Sequence, residues 1–195
     1  MASDHLSESR ESAAWQRRIR RAYESATIAE RAAGLEWYAT ANAAADDIAN
    51  AYGIDRRAAA GIIAALSPRM QWAANLRAAH AVAAAAHSGA AHPPRVGMTG
   101  NTDKAWRIAN GADPVDVLRG PKVTAFFANI VGDLRSVTVD VWAARAAYGR
   151  DDAPVPAGRR YARLADAYRR TADRLGVPPR DLQAAVWVHV RGAAQ

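Results

Sequence analysis

The sequence predicts an all-α protein, and three observations lead to that fold class. Half of the 195 residues are hydrophobic, and alanine, which favours helices over strands, dominates them. From Ser12 onward, apolar residues recur three and four positions apart along Ala/Arg-rich stretches, which is the spacing of one helix face. Glycines follow several of these stretches, at the positions where helices commonly end.

We expect residues 1–10 to be a disordered polar tail and residues 11–195 to form a single domain, which is long enough to bury a core. Helices are predicted near residues 11–32, 35–52, 55–66, 70–88, 101–110, 114–118, 121–132, 141–149, 157–175 and 179–191. Their C-caps are predicted at Gly34, Gly53, Gly111, Gly149 and Gly176. The Pro- and Gly-containing stretch over 87–100 is expected to be a long loop that divides an N-terminal lobe from the rest.

The composition limits the function classes. A formal charge of +7 and a pI near 10.3 suit a polyanionic partner. The absence of cysteine excludes disulfides and a cysteine-ligated iron–sulfur cluster, and the five histidines show no metal-site spacing. The chain has no P-loop, nucleophile elbow or dinucleotide fingerprint, so no cofactor is predicted. It has no apolar run long enough for a membrane and no signal peptide, so we expect a cytoplasmic protein.

A tight turn over 118–122 is the first candidate site. Its residues, Leu118, Arg119, Gly120, Pro121 and Lys122, open an apolar helix. A glycine here lets two helices cross closely and turns backbone N–H groups outward, where a phosphate can lie against a helix N-terminus. The turn is therefore predicted to hold a nucleic-acid backbone.

Asp140 and Lys122 are the candidate catalytic residues. Asp140 follows the β-branched run Val137-Thr138-Val139 and precedes an apolar helix, so it can be an N-cap, a functional carboxylate or both. Such a carboxylate can stabilise a sugar oxocarbenium ion or activate water. Lys122 can contact phosphate, act as a Schiff-base nucleophile or lie at the surface, and we place these alternatives in that order.

The turn and the Val-Asp pair, with Asp140 following Lys122 by 18 residues, resemble the helix-hairpin-helix (HhH-GPD) DNA glycosylase superfamily. The chain differs from it at Leu118, where the superfamily's hairpin has a glycine. The resemblance implies a two-lobed helical fold, a duplex DNA partner, a monomer, and Asp140 and Lys122 in the places of the catalytic aspartate and lysine. The pattern is most similar to a cluster-free bacteriophage branch associated in part with thymine hypermodification, which would place the protein in the host cytoplasm.

Two further segments match this superfamily. The loop containing Ser67, Arg69, Gln71 and Trp72 resembles one that inserts a side chain into the duplex where a base has been flipped out, so Arg69 or Gln71 can fill that gap. Trp72 can stack on a base or belong to the core, and we favour the core. Asn101 and Lys104 resemble the helix start that precedes the hairpin: Asn101 is expected as an N-cap, and Lys104 can contact phosphate.

The last predicted helix carries Gln183, Trp187 and Arg191 at four-residue intervals, so they share one face. An amide, an indole and a guanidinium make an unusual core, and we expect this face to line the pocket. Glu36, Trp37 and Tyr38 lie early in a predicted helix, and the sequence is compatible with either a pocket or a core position for them.

Three functions are compatible with these residues. The leading one is a DNA-acting enzyme that flips a nucleobase and uses Asp140 against a cationic transition state, as a DNA glycosylase does. An alternative with the same carboxylate is thymine hypermodification, in which an amine replaces a pyrophosphate. The alternative from another class is a non-catalytic DNA-binding module, in which Asp140 is only a helix cap.

Overall fold

The computed structural model of the chain describes residues 2–192, and the side chains of residues 7–192. This part of the chain is all-α, without strands, as the sequence predicted. Its ten helices are α1 Ala2–Ser25, α2 Ile28–Tyr52, α3 Arg56–Leu66, α4 Trp72–His87, α5 Thr99–Ala109, α6 Pro114–Val117, α7 Pro121–Ile130, α8 Val141–Tyr148, α9 Gly158–Leu175 and α10 Pro179–Gly192.

The chain divides into two compact units. Unit 1 contains the residues up to Tyr38 and those from Asp133 onward, and unit 2 is Ala39–Gly132. The division therefore falls within α2 and after α7, rather than in the loop over 87–100 where the sequence suggested a boundary between lobes. Sequence composition marks this loop as irregular, but it lies wholly within unit 2.

Unit 1 is built around α1, which packs against α8, α9 and α10. Its core contains a few large side chains and many alanines, and the largest of them include Trp15, Ile19, Leu164, Tyr168 and Leu182. The alanines Ala143, Ala144 and Ala147 present the buried side of α8. Small residues on these faces allow the helices to approach closely, as the alanine-rich composition indicated.

Unit 2 is built around α3, which packs against α4, α5, α6 and α7. All residues of α3 from Ala59 to Leu66 are buried, so this helix forms the centre of the unit. Asn75 on α4 is also buried, and its Nδ2 donates to the Ile63 carbonyl at 3.1 Å. Gly61 allows Pro114 of α6 to lie against α3, since an added Cβ there would come within 2.6 Å of the proline ring.

Two features near the N-terminus differ from the sequence prediction. Helix α1 begins at Ala2, although residues 1–10 were expected to be a disordered tail. From Glu8 onward, ion pairs with α9 support this helix: Arg163 bonds to Glu8 at 3.2 Å and to Glu11 at 3.1 Å. Acidic residues near the start of the chain therefore hold α1 against α9 through ion pairs with Arg163.

Gly34 is the second difference, because it lies inside α2 instead of capping a helix. Its missing side chain leaves room for α10, whose Ala185 nitrogen would be 2.6 Å from an added Cβ. The helix break occurs earlier, at Thr27. Thr27 and Glu30 exchange hydrogen bonds there, from the Thr27 N–H to Glu30 Oε2 at 2.7 Å and from the Glu30 N–H to Thr27 Oγ1 at 3.1 Å.

Candidate functional site

Asp140 is the N-cap of α8. Its Oδ1 accepts a hydrogen bond from the Ala143 N–H at 2.8 Å, so the capping alternative is confirmed. The residue is half-buried, and its backbone is extended. The capping bond fixes the direction in which the carboxylate points, which a catalytic carboxylate also requires.

The run that leads to Asp140 passes through the core of unit 1. Val137 and Val139 are both buried, and no neighbouring strand is available for their backbone in the described part of the chain. The Tyr161 hydroxyl supplies the hydrogen bonds that a neighbouring strand would otherwise make. It accepts from the Val139 N–H at 3.0 Å and donates to the Val137 carbonyl at 3.4 Å. Tyr161, on α9, therefore holds the extended segment that positions Asp140.

Three buried phenols are close enough to Asp140 to be influenced by its charge. Burial is the main reason that the pKa values of Tyr38, Tyr161 and Tyr168 are raised, and the negative charge of Asp140 raises each further. For Tyr161 the pKa rises to about 12. The phenols are therefore neutral at physiological pH.

Tyr38 connects Asp140 with α10. Its hydroxyl donates to Gln183 Oε1 at 3.3 Å and also has a hydrogen-bond interaction with the Thr138 side chain. The Arg180 guanidinium carbon lies 5.2 Å from the centre of the Tyr38 ring, and Arg180 Nε bonds to Asp181 at 2.9 Å. Burial dominates the raised pKa of Tyr38, while the Thr138 bond and the Arg180 charge oppose it.

The predicted face of α10 divides into an inner and an outer part. Gln183 is buried and belongs to the Tyr38 network. Trp187 instead lies with its ring centre 5.7 Å from that of Trp37, and the Arg191 guanidinium carbon is 4.8 Å from the Trp187 ring centre. Gln183 is thus brought into the surroundings of Asp140, while Trp187 and Arg191 form an aromatic and cationic stack beside Trp37.

The sequence did not identify Tyr161, Tyr168 or Arg180 as parts of this site. Their positions depend on how α9 and α10 pack in unit 1, and none of the three lies in a local motif. Tyr161 and Tyr168 share a face at a seven-residue interval on α9, but that spacing is equally typical of ordinary core residues.

In unit 2, the segment over 118–122 connects α6 to α7. Gly120 has φ +90°, a conformation that favours glycine, and Pro121 is the first residue of α7. Arg119 is exposed and folds back, with Nη1 donating to the Leu118 carbonyl at 2.8 Å. No side chain caps α7, and Lys122 lies half-buried in its first turn.

Leu118 corrects one prediction for this turn. The side chain is only 2 % exposed and belongs to the core of unit 2, so it is not available for the DNA contact predicted for it. Its position directly after α6 anchors the turn, which accounts for an apolar residue where the resembled hairpin has a glycine.

The loop between α3 and α4 contains a backbone outlier. Arg69 is exposed and has φ +60°, which is unusual for a residue other than glycine. Ser67 caps the C-terminus of α3, its hydroxyl donating to the Ala64 carbonyl at 2.9 Å. Gln71 is exposed at the N-cap position of α4 without a side-chain capping bond, and Trp72 is half-buried.

The start of α5 differs from the prediction for Asn101. Met98 takes the N-cap position through its extended backbone, and Asn101 lies within the first turn of the helix. The adjacent Thr102 hydroxyl donates to the carbonyls of Val96 and Met98, and these bonds fix the helix start. Lys104 is half-buried one turn into the helix.

Neither a membrane-spanning helix nor a metal-binding cluster occurs in the described part of the chain, which is residues 2–192 for the helices. No helix in this range is both long and apolar enough to cross a membrane. Among the side chains of residues 7–192, no group of three or more His, Asp or Glu is arranged to hold a metal ion.

Comparison with known proteins identifies a family without assigning an activity. No curated protein and no solved structure matches the chain. A family model described as a family of unknown function (DUF7178) matches residues 1–194. Because this match covers almost the whole sequence, the chain belongs to the DUF7178 family.

Proposed function

We propose that the protein is an enzyme that acts on a base in double-stranded DNA, with Asp140 as the catalytic carboxylate. The observation that carries the proposal is the setting of Asp140: a half-buried carboxylate, oriented by the Ala143 N–H, whose charge contributes to the raised pKa values of the buried phenols of Tyr38, Tyr161 and Tyr168. A partly buried charge is screened less by solvent than an exposed one, so it acts more strongly on a developing positive charge.

The proposed reaction is the cleavage of the bond between a base and its sugar. The bonding electrons leave with the base, which takes up a proton from solvent, and positive charge develops on the sugar carbon. The oxygen of a water molecule then bonds to this carbon, and Asp140 stabilises the positive charge or accepts the proton that the water loses. The target nucleotide must first leave the base stack, since its sugar carbon is inaccessible to a side chain inside the duplex.

Unit 2 supplies groups that can hold the DNA backbone. The first turn of α7 has no side-chain cap, so its backbone N–H groups are suited to a phosphate, and Lys122 and Arg119 add positive charge. We assign Lys122 to phosphate contact before nucleophilic attack. Lys104, half-buried one turn into α5, is a further candidate contact.

The proposal gives Arg69 the role of filling the gap left by the flipped base. Its left-handed backbone conformation costs about 1 kcal/mol or more, and residues held in this way are found disproportionately at functional sites. The side chain is also exposed and is long enough to enter a duplex. Gln71, exposed two residues later, is the alternative for the same role.

Two other functions use the same residues. In thymine hypermodification, an amine replaces a pyrophosphate at an exocyclic methylene, and Asp140 would stabilise positive charge there. In a non-catalytic DNA-binding module, Asp140 would serve only as the cap of α8, a role that its bond to Ala143 satisfies.

The testing experiment is Asp140→Asn, assayed by nucleoside mass spectrometry after incubation with unmodified and hypermodified DNA. Asparagine caps helices about as well as aspartate, so the variant removes charge and retains the local structure. We expect turnover to be lost while DNA affinity stays the same or rises, because a negative charge near phosphates is removed. Release of a free base indicates glycosylase chemistry, and a new thymine derivative indicates hypermodification.

Asp55→Asn is the matched control. Asp55 caps α3 by accepting from the Arg57 and Ala58 N–H groups, so it undergoes the same chemical change at another helix start. We expect the control to keep wild-type turnover. If Asp140→Asn forms product at the wild-type rate, Asp140 is not catalytic, and DNA binding without turnover by the wild type supports the binding module.

A further inference from the structure

Unit 1 contains a groove between α1 and α9 to which the proposed reaction assigns no role. Its volume is about 700 Å³, within the range of ligand-binding clefts. Five arginines line it: Arg17 and Arg20 from α1, and Arg163, Arg170 and Arg174 from α9. The lining also includes two carboxylates, Glu8 and Asp166, so cations outnumber anions.

The ion pairs of the groove leave part of this positive charge uncompensated. Arg163 pairs with Glu8 and Glu11, which ties α9 to α1. Asp166 pairs with Arg169, which does not line the groove. Arg20 pairs with Glu24 at 2.7 Å.

Arg17 and Arg170 take part in none of these ion pairs. Both are exposed, and neither has a carboxylate within ion-pair distance among the described residues. Arg174 bonds to a neutral partner, Gln16 Oε1, at 2.9 Å. A second, smaller hollow beside Arg17 is lined by Arg18 and Arg21 and extends the positive surface along α1.

The arrangement is elongated. From Arg163 to Arg174, α9 advances by 11 residues, which is about 16 Å at 1.5 Å per residue. That length corresponds to roughly five phosphates of one DNA strand at about 3.4 Å each along the helix axis. A row of arginines along two helices is better matched to a linear series of phosphates than to a single compact anion.

The remaining lining residues favour contact with the backbone over the bases. They are small, polar or aliphatic, and no aromatic side chain is among them. Proteins that bind nucleic-acid bases without sequence preference commonly stack them on aromatic rings. The groove offers guanidinium groups for phosphate and no ring for stacking.

We propose that the groove between α1 and α9 binds the phosphate backbone of DNA, as a second contact surface distinct from the turn over 118–122. This inference rests on the proposed function, because it takes DNA as the polyanion. The interaction is independent of sequence, since phosphate contacts position a protein without reading bases.

The test measures the affinity for a fluorescently labelled DNA duplex by anisotropy over a series of salt concentrations. The groove variant is Arg17→Gln with Arg170→Gln. Neither side chain makes a hydrogen bond in the described structure, so we expect the fold to be retained. The slope of log K against log salt should become shallower by about 1 for each phosphate contact removed, or about 2 in total.

Arg10→Gln with Arg159→Gln is the matched control. These arginines are exposed on the same two helices and do not line the groove, so the variant loses the same charge elsewhere. It should keep a slope close to that of the wild type. Arg17→Lys with Arg170→Lys preserves the charges and should retain most of the binding.

Lys122→Ala separates this inference from the proposed function. If the groove variant behaves like its matched control while Lys122→Ala weakens binding, the groove proposal is wrong and the turn keeps its role. If the groove variant alone weakens binding, the groove is supported and the turn is not a DNA contact. A wild-type protein that fails to bind duplex DNA overturns both. If the protein binds phosphatidylserine vesicles in place of DNA, and the groove variant loses this binding, the groove is a lipid contact and the proposal is overturned.

Discussion

Replacing Gly34 by alanine should destabilise the protein, although alanine is the better helix former. An alanine Cβ at this position would lie 2.6 Å from the Ala185 nitrogen and 2.8 Å from the Ala184 carbonyl carbon. Ordinary contacts begin near 3.4 Å, so α2 and α10 would have to separate by about 0.8 Å at this crossing. Both contacted atoms belong to the backbone, which cannot rotate away as a side chain can.

The expected magnitude follows from two opposing effects. Overpacking in a well-packed interior costs about 1–3 kcal/mol, and the rigid backbone contact places this position in the upper half of that range. The higher helix propensity of alanine offsets about 1 kcal/mol. The net loss in the free energy of unfolding is therefore about 1–2 kcal/mol, or a decrease in Tm of about 2–8 °C for a chain of this size.

Thermal and urea unfolding followed by far-ultraviolet circular dichroism would measure this loss. Gly100→Ala is the control, because Gly100 lies in α5 with no atom within 4 Å of its added Cβ, and we expect it to be neutral or stabilising by up to about 1 kcal/mol. Tyr38 is one turn from Gly34 on α2, so Gly34→Ala should also lengthen the 3.3 Å bond to Gln183 and reduce turnover. A Gly34→Ala variant as stable as the wild type would refute the close contact between α2 and α10.

The remaining predictions concern Lys122 and pH. Borohydride treatment during turnover should trap no covalent DNA adduct. Lys122→Ala should weaken binding evenly across DNA sequences. An adduct that depends on Lys122 would instead indicate a bifunctional glycosylase. The second concerns alkaline pH, because the pKa values of Tyr38, Tyr161 and Tyr168 are raised in the folded protein. The contribution of these phenols to stability should be fully present below pH 10 and should be lost as pH rises toward 12. Urea unfolding on either side of pH 10 measures this loss, and a constant free energy of unfolding would contradict the prediction. The third concerns acid pH, because the hydrogen bond from Ser136 lowers the pKa of Asp133. The Asp133 carboxylate therefore contributes to stability above pH 3.8, and this contribution is lost as pH falls further. Asp133→Asn should reduce the fall in stability at acid pH, and an unchanged fall would exclude this carboxylate as a contributor.

The helices were predictable because their signals are local. Apolar spacing and glycine position depend on neighbouring residues, and Gly149 and Gly176 indeed cap α8 and α9 in the left-handed conformation. Gly34 shows where this inference fails. A glycine that ends a helix and a glycine that admits a neighbouring helix are identical in sequence, and only the approach of α10 distinguishes them.

The candidate site was predictable in part for the same reason. The capping role of Asp140 follows from residues directly before and after it, and the bond to Ala143 confirms it. Its phenol neighbours come from α2 and α9, and their proximity depends on packing over long sequence separations. The left-handed backbone of Arg69 had no signal either, since neither the residue nor the adjacent proline is typical of that conformation.

The charge of Asp140 is the feature that a purely structural role does not explain. A helix cap requires only a short side chain with an acceptor oxygen, which asparagine, serine and threonine also provide. After burial, which is the main cause, the charge of Asp140 contributes to the raised pKa values of the buried phenols of Tyr38, Tyr161 and Tyr168. Functional groups are commonly retained even where they do not add to stability. The free energy of unfolding of Asp140→Asn should therefore lie within about 1 kcal/mol of the wild-type value, while turnover is lost. Asp140→Ala, which also removes the cap, should lose about 1 kcal/mol more than the asparagine variant, and equal stability of the two variants would show that the capping bond contributes little to folding.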